Sequence, residues 1–271
     1  MAKQEQLLVQ LLTPIDEAAA LILVADGNWW MQEKHDGRRL LVRKVPGSRP
    51  IGINRLGEFR TLPSEVADAI DDLIVEGGFL LDGELVDKRF YAFDLLEFGG
   101  VDLRSRAYGD RFDALAVLLS VVGNSVQLSE TFAGKRDKSE AMIRFLSEQR
   151  EGVVFKRHDA IYEPGRLPVT SSVACKLKFH KTASFLVTKH LGPRSVAISL
   201  HNNGEWQEIG RVAIYANQVM PKIGDVVEVR FLYIHQSGRL CQPRLLNVRD
   251  DILPGECLLN QLPIRKGGGW L

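Results

Sequence analysis

Ten short, partly alternating apolar runs broken by glycine-containing turns constrain this chain more than any other feature. Five fall early, at residues 29–32, 39–45, 51–53, 79–86 and 90–96, punctuated by Asp36-Gly37, Pro46-Gly47, Leu56-Gly57 and Asp82-Gly83. Period-two alternation over such lengths marks strands, because only a pleated strand sends successive side chains to opposite faces. Five more runs, at 185–190, 195–200, 206–212, 226–232 and 244–248, crowd the C-terminal part, with one helix expected near Ala216. Five strands in so short a stretch fit a small barrel, for which the OB-fold is the natural candidate.

Helical patterns are fewer. Thr13-Pro14-Ile15-Asp16-Glu17 reads as an N-cap, an N1 proline and first-turn acids for a helix ending near Asp26-Gly27. Within it the apolar run 18–25 (AAALILVA) reads as buried; it follows Asp16 and Glu17, where a signal peptide would carry positive charge. Residues 63–75, capped by Ser64, 110–122 and 139–150 read as three further helices. The expected fold is an α+β domain over 1–182 followed by a small all-β barrel over 183–271. No Pro or Gly marks the boundary near Lys181 to Ala183, and the tail from Lys266 is expected to be mobile.

With 271 residues, 45% of them apolar, the chain can bury full cores, and its net charge of +1 says little about partners. The distribution says more. Residues 65–102 hold eleven Asp/Glu against two Lys/Arg, and residues 150–194 hold nine Lys/Arg against three Asp/Glu. These blocks are either solvated faces or a metal-attracting wall opposite a phosphate-attracting one. Cys175, Cys241 and Cys257 are odd in number and widely spaced, which fits neither a disulfide framework nor a zinc site and points to a reducing cytoplasm. No apolar run approaches the roughly 18 residues of a membrane span.

Three constellations carry chemistry. Glu33-Lys34-His35-Asp36-Gly37-Arg38-Arg39 lies between two strand-like runs. Alone it is a charged hairpin turn; read more sharply, Lys34 is a nucleophile beside a tight turn, its amine needing desolvation or cationic neighbours to attack near neutral pH. In Cys175-Lys176-Leu177-Lys178-Phe179, a strand would send Lys176 and Lys178 to one face, suited to a polyphosphate, or would be a lysine-guarded edge. In Glu151-Gly-Val-Val-Phe-Lys156, Glu151 and Lys156 face opposite sides of a regular strand, and Glu151 is the expected site residue. Asp82-Gly83-Glu84 offers a second carboxylate, and Asp82 and Glu84 lie on one face if that strand is regular. Hard oxygens near phosphates suit Mg²⁺, which leans on one or two carboxylates. A GxxxxGK[ST] loop and an HExxH pair are both absent, which excludes a P-loop NTPase and gives zinc hydrolysis no support.

These pieces, in this order, resemble the covalent nucleotidyltransferases: ATP-dependent DNA ligases, RNA ligases and mRNA capping enzymes. The carrying motifs are Lys34-His-Asp-Gly-Arg38 (KxDGxR), Ile53-Asn-Arg55-Leu-Gly57 (RxG), Leu81-Asp-Gly-Glu84, Tyr91-Ala-Phe93-Asp-Leu-Leu96 (FDLL), Glu151 to Lys156 and Lys176-Leu-Lys178. Each is weak alone; six in register across 34–178 are strong.

The resemblance implies an ATP-dependent DNA ligase of the minimal two-domain bacterial or viral type, with an ATP-grasp-like adenylation domain. Lys34 would carry AMP, with Lys176 and Lys178 assisting catalysis. Arg39, Arg55, Glu84, Phe93 (stacked on adenine) and Glu151 would help bind ATP. Glu84 and Glu151 would hold Mg²⁺, or Mn²⁺ in its place. Arg38, Arg55, Arg111, Arg244 and Arg249 would contact the nucleic acid. The implied partner is nicked double-stranded DNA, handled by a monomer with no obligate protein partner and no membrane. In the second domain Pro243, Arg244, Arg249 and Asp251 keep the ligase pattern, whereas Cys241 and Ile252 replace an expected Arg and Lys, leaving Arg244 or Arg249 to orient pyrophosphate. Alternatives are an RNA ligase or capping nucleotidyltransferase and, more distantly, a non-catalytic OB-fold nucleic-acid-binding protein.

Overall fold

The computed structural model describes residues 9–262 apart from Val121 and Gln236. The expected mobile tail lies outside the described residues. The chain divides into two units, 1–178 and 179–271.

The first unit is built on two large sheets. One runs, neighbour to neighbour, Val126–Leu128, Arg89–Phe98, Phe79–Val86, Arg38–Lys44, Ile51–Ile53 and Phe59–Arg60, with Val101–Asp102 beside Arg89–Phe98. The other runs Thr131–Phe132, Trp29–Glu33, Gly152–Arg157, Ala174–Lys178 and Thr13–Pro14. A third, two-stranded pairing joins Gln10–Leu11 in parallel with Gly165–Arg166. The first sheet buries Leu40, Val42, Leu81, Leu85, Phe90 and Ala92 against Val66 and Ile70 of the helix Ser64–Asp71 and Phe112 and Leu115 of the helix Tyr108–Leu119.

Asp36-Gly37 is no hairpin turn. Trp29–Glu33 and Arg38–Lys44 belong to different sheets, so Lys34 to Gly37 is a crossover between them. Glycine is required at 37 by close approach: a Cβ there would lie 2.3 Å from the Leu85 carbonyl oxygen. The strand that leads into the crossover is tied down by Lys138. Its buried ammonium donates to the carbonyls of Leu23 and Asp26, at the C-terminal end of the first helix, and of Trp29, at 2.9, 2.6 and 2.8 Å.

The first helix is shorter than its sequence pattern implies. It spans Glu17–Ala25, capped by the Asp16 carboxylate, which accepts from Ala19 N. Thr13–Pro14 is a strand, because pairing with Cys175 and Lys176 outcompetes one more helical turn. Nor is the helix buried: Leu21 and Ile22 are exposed, and only Ala20 and Val24 face the interior. Ser64 opens its helix without a side-chain cap, its hydroxyl going to Glu65 instead.

The second unit is one sheet in the order Glu205–Ala213, Ser195–Asn202, Lys181–Gly192, Val226–Phe231 and Arg244–Arg249, all neighbours antiparallel. Its two edge strands approach one another, so the sheet curls around Phe185, Val196, Ile198, Val227 and Phe231. Register shifts at Val187/Lys189, Ile198/Ser199 and Glu228/Val229 accommodate the bend. Residues near Ala216 form a turn rather than the expected helix, with Gln218 N bonded to Tyr215 O. Among the described residues, no helix is long and apolar enough to cross a membrane.

Candidate active site

Lys34 leaves its strand with its backbone N–H still bonded to the Gly152 carbonyl at 2.9 Å. Gly152 in turn pairs with Lys178 on the next strand. A Cβ on Gly152 would sit 2.0 Å from the Leu177 carbonyl oxygen, so only glycine lets the two strands approach this closely. Glu151, one residue earlier, is thereby set between two lysines. Its Oε2 accepts from Lys34 Nζ at 2.5 Å and its Oε1 lies 2.7 Å from Lys178 Nζ. The carboxylate is 4% exposed, whereas both ammonium groups reach solvent.

Two adjoining cavities meet at Lys34. The inner one, about 70 Å³, is lined by Gln32 and His35, by Val154 and Lys156, and by Phe93 across from them. Both large sheets therefore contribute walls. The outer cavity, about 520 Å³, is lined by Arg38, Arg55, Arg60 and Lys176. Leu12, Lys34, Arg39 and Glu84 line both.

Burial shapes the titration of the walls. Glu84 is pushed up to about 7 by desolvation, against the opposing pull of Lys34 and Arg39. Lys156 is lowered to about 8, again chiefly by burial, with Asp94 working the other way. Its ammonium lies 4.5 Å from the Phe93 ring centre and 4.4 Å from that of Tyr108. His35 stacks on Tyr91 at 4.1 Å and falls to about 4 through burial, Arg150 and Lys34, so it is neutral near pH 7.

Beneath the cavities, Asp82 and Asp94 face each other across neighbouring strands, both fully buried. Each is held by an arginine fork. Arg39 donates to both oxygens of Asp82 at 2.9 and 2.5 Å, and Arg111 to both of Asp94 at 2.8 and 2.9 Å. Lys156 Nζ lies 3.7 Å from Asp94.

This geometry sorts the residues singled out from sequence. Lys34, Glu151 and Lys178 form one cluster; Lys176, Arg38, Arg55 and Glu84 line the cavity beside it; Phe93 lines the inner one. Arg111 is a correction. It is 1% exposed and its remaining bonds go to the Arg106 and Ala160 carbonyls, so it braces the interior and cannot reach a nucleic acid. Arg39 spends its donors on Asp82, Tyr162 and the Gln10 carbonyl, and so shapes the wall while lining it. Glu151 has both oxygens engaged by lysines, whereas Glu84 lines both cavities. Arg244 and Arg249 belong to the second unit: Arg244 is exposed over the Tyr215 ring, and Arg249 is forked to Asp251.

Much of the acidic block is committed to ion pairs. Asp82 and Asp94 are buried in ion pairs, Asp68 and Asp71 pair with Arg49 and Lys44, and no group of three or more His, Cys, Asp or Glu among the described residues could hold an ion. Lys156 was missed as a wall residue. Period-two reasoning put it opposite Glu151, but Glu151 precedes the strand Gly152–Arg157 and does not obey its alternation.

A family model described as the ATP-dependent DNA ligase domain matches residues 86–178. The chain is 28% identical over 287 residues to a multifunctional non-homologous end joining protein LigD of Mycolicibacterium smegmatis, covering 84% of this chain and 37% of that protein. It is 28% identical over 197 residues to the LigD of Mycobacterium tuberculosis, covering 65% of this chain and 24% of that one. A DNA ligase of Halorubrum lacusprofundi is 28% identical over 186 residues, covering 52% of this chain and 31% of that one. The chain thus spans between 24% and 37% of the length of these curated relatives. Among solved structures, a mycobacterial DNA ligase D complexed with ATP and MES superposes with a TM-score of 0.55 at 24% identity, covering 93% of this chain and 98% of that one. A Lig E DNA ligase, described as binding DNA with a minimal scaffold, gives 0.64 at 18% identity, covering 89% and 98%. At these identities the superpositions speak for the fold alone.

Proposed function

We propose that this chain, whose residues 86–178 match the ATP-dependent DNA ligase domain, is an ATP-dependent DNA ligase that seals 5′-phosphate/3′-hydroxyl nicks in duplex DNA through a lysyl-AMP on Lys34. The observation that carries this reading is the Lys34–Glu151–Lys178 cluster, whose Lys34 stands where a small inner cavity walled by Phe93 meets a larger cationic one.

In the first step Lys34 Nζ attacks the α-phosphorus of ATP. An N–P bond forms, the bond to the bridging oxygen breaks, and pyrophosphate leaves with the electron pair. Glu151, against the ammonium, orients it and is the nearest carboxylate for its proton. Lys178 and Lys176 supply positive charge for the phosphates, and Phe93 offers a ring for adenine. In the second step AMP passes to a DNA 5′-phosphate, freeing Lys34; in the third a 3′-hydroxyl displaces AMP and the phosphodiester closes. Exposed Arg38 and Arg55 suit the phosphates of the nicked strand, since a guanidinium fork matches phosphate oxygens.

Mg²⁺, or Mn²⁺ in its place, would supply charge neutralisation at the triphosphate. Glu84 fits as its protein ligand, because such an ion needs only one or two carboxylates beside water and phosphate oxygens. We read the second unit as an OB-fold barrel, and Arg244 with Tyr215 as part of its duplex-contacting surface.

The test is mass spectrometry of the chain after incubation with ATP and Mg²⁺, with peptide mapping. One adenylate on the Lys34 peptide, lost in Lys34→Ala, is expected. No adduct on folded protein freed of prebound AMP by pyrophosphate would refute the reading.

A further inference from the structure

Residues 9–15, ahead of the first helix, are threaded through the site. Gln10–Leu11 pairs in parallel with Gly165–Arg166, and Thr13 and Pro14 pair with Cys175 and Lys176. Between the two pairings Leu12 lies outside any strand. The segment is pinned beside the cavities as well: the Gln10 N–H donates to the Tyr162 hydroxyl at 2.9 Å, Arg39 donates to the Gln10 carbonyl, and the Thr13 hydroxyl donates to the Leu167 carbonyl at 2.9 Å.

Leu12 occupies a particular place. It lines both cavities, together with Lys34, Arg39 and Glu84. Three of these four are charged and Leu12 is the apolar one. A nucleotide with its base inside and its phosphates outside passes this wall, its phosphates meeting the charges and its base or sugar meeting Leu12.

The inner cavity, at about 70 Å³, has room for roughly two waters, against the several hundred Å³ of usual ligand pockets. To admit a purine, something in its wall has to yield. Each of the segment's parallel pairings is only two residues long, with half-buried Leu12 unpaired between them, and so short a ladder opens at lower cost than a core strand even though Gln10 and Thr13 are buried.

We infer that residues 10–13 are a strap that shifts to admit the purine nucleotide and then closes on it, with Leu12 the apolar contact that seats the base relative to Lys34. The inference rests on the nucleotidyl-transfer reading above.

The experiment uses the full chain and ATP. Adduct formation is followed against ATP concentration for wild type, Leu12→Ala and the volume-conserving Leu12→Met, and amide hydrogen exchange over 10–14 is read with and without ATP. Truncation to Ala is expected to raise the KM for ATP roughly tenfold, the worth of a few buried methylenes. Met should restore it, and the strap amides should exchange more slowly once ATP is present. A KM for Leu12→Ala within about twofold of wild type, or strap exchange indifferent to ATP while wild type forms its adduct, overturns the strap and leaves the ligase chemistry standing. If wild type forms no adduct, the underlying reading fails and the strap with it. Should Leu12→Ala not fold, the exchange measurement on wild type and the Met variant decide alone.

Discussion

Lys34 and Lys178 are held on opposite oxygens of a single carboxylate, Glu151, at 2.5 and 2.7 Å. Two ammonium groups that would otherwise repel are thereby kept near each other; in the proposed reaction one attacks and the other neutralises phosphate charge.

Glu151→Gln keeps the shape of the side chain and removes its charge. Self-adenylylation is therefore expected to fall by about two orders of magnitude, the usual cost of removing a preorganised electrostatic group. Quench-flow with radiolabelled ATP measures it. A Gln variant as fast as wild type would show that Glu151 is only a structural counter-ion.

The acid limb of stability should carry the signature of His35. Its pKa is lowered from 6.5 to about 4 in the folded chain. Between those values the unfolded state binds more protons than the native one, so stability rises with pH through this window and is complete above about 6.5. The shift corresponds to about 3 kcal/mol. Urea denaturation from pH 4 to 7 reads it, and His35→Gln should flatten the slope; an unchanged slope in the variant would assign the acid sensitivity elsewhere.

Arg111 tests the revised assignment of a residue expected at the nucleic acid. It is buried with Asp94, and breaking a buried pair from one side costs about 3–5 kcal/mol because the other charge is stranded. Arg111→Ala should lower the unfolding midpoint sharply. The fraction that stays folded should bind nicked duplex as wild type does in gel shift, whereas weakened binding with unchanged stability would restore the original assignment.

Most strands were legible in the sequence because their alternation is local: Ile51–Ile53 and Phe79–Val86 match the apolar runs residue for residue. The site motifs were legible too, since each is a short contiguous string. What was illegible depended on partners far along the chain. Thr13 and Pro14 look like a helix start until Cys175 and Lys176 pair with them. Arg111 looks like a surface cation until Asp94, on another element, meets it. Asp36-Gly37 looks like a hairpin because nothing local reveals that its flanking strands belong to different sheets.

Gly152 offers the last test, because its reason for being glycine is the spacing of two strands. A Cβ there would lie 2.0 Å from the Leu177 carbonyl oxygen, whereas one on Gly27 would meet nothing within 4 Å. Gly152→Ala therefore has to push Ala174–Lys178 away from Gly152–Arg157, which takes Lys178 from Glu151 and loosens the Gly152 carbonyl that holds Lys34 N. Overpacking of this kind costs about 1–3 kcal/mol. The unfolding midpoint should drop accordingly, with adduct formation falling further than stability alone explains when both are measured well below the midpoint. Gly27→Ala, as control, should leave both near wild type. If Gly152→Ala loses stability but adenylylates at the normal rate, the spacing of the two strands matters to the fold and not to the chemistry.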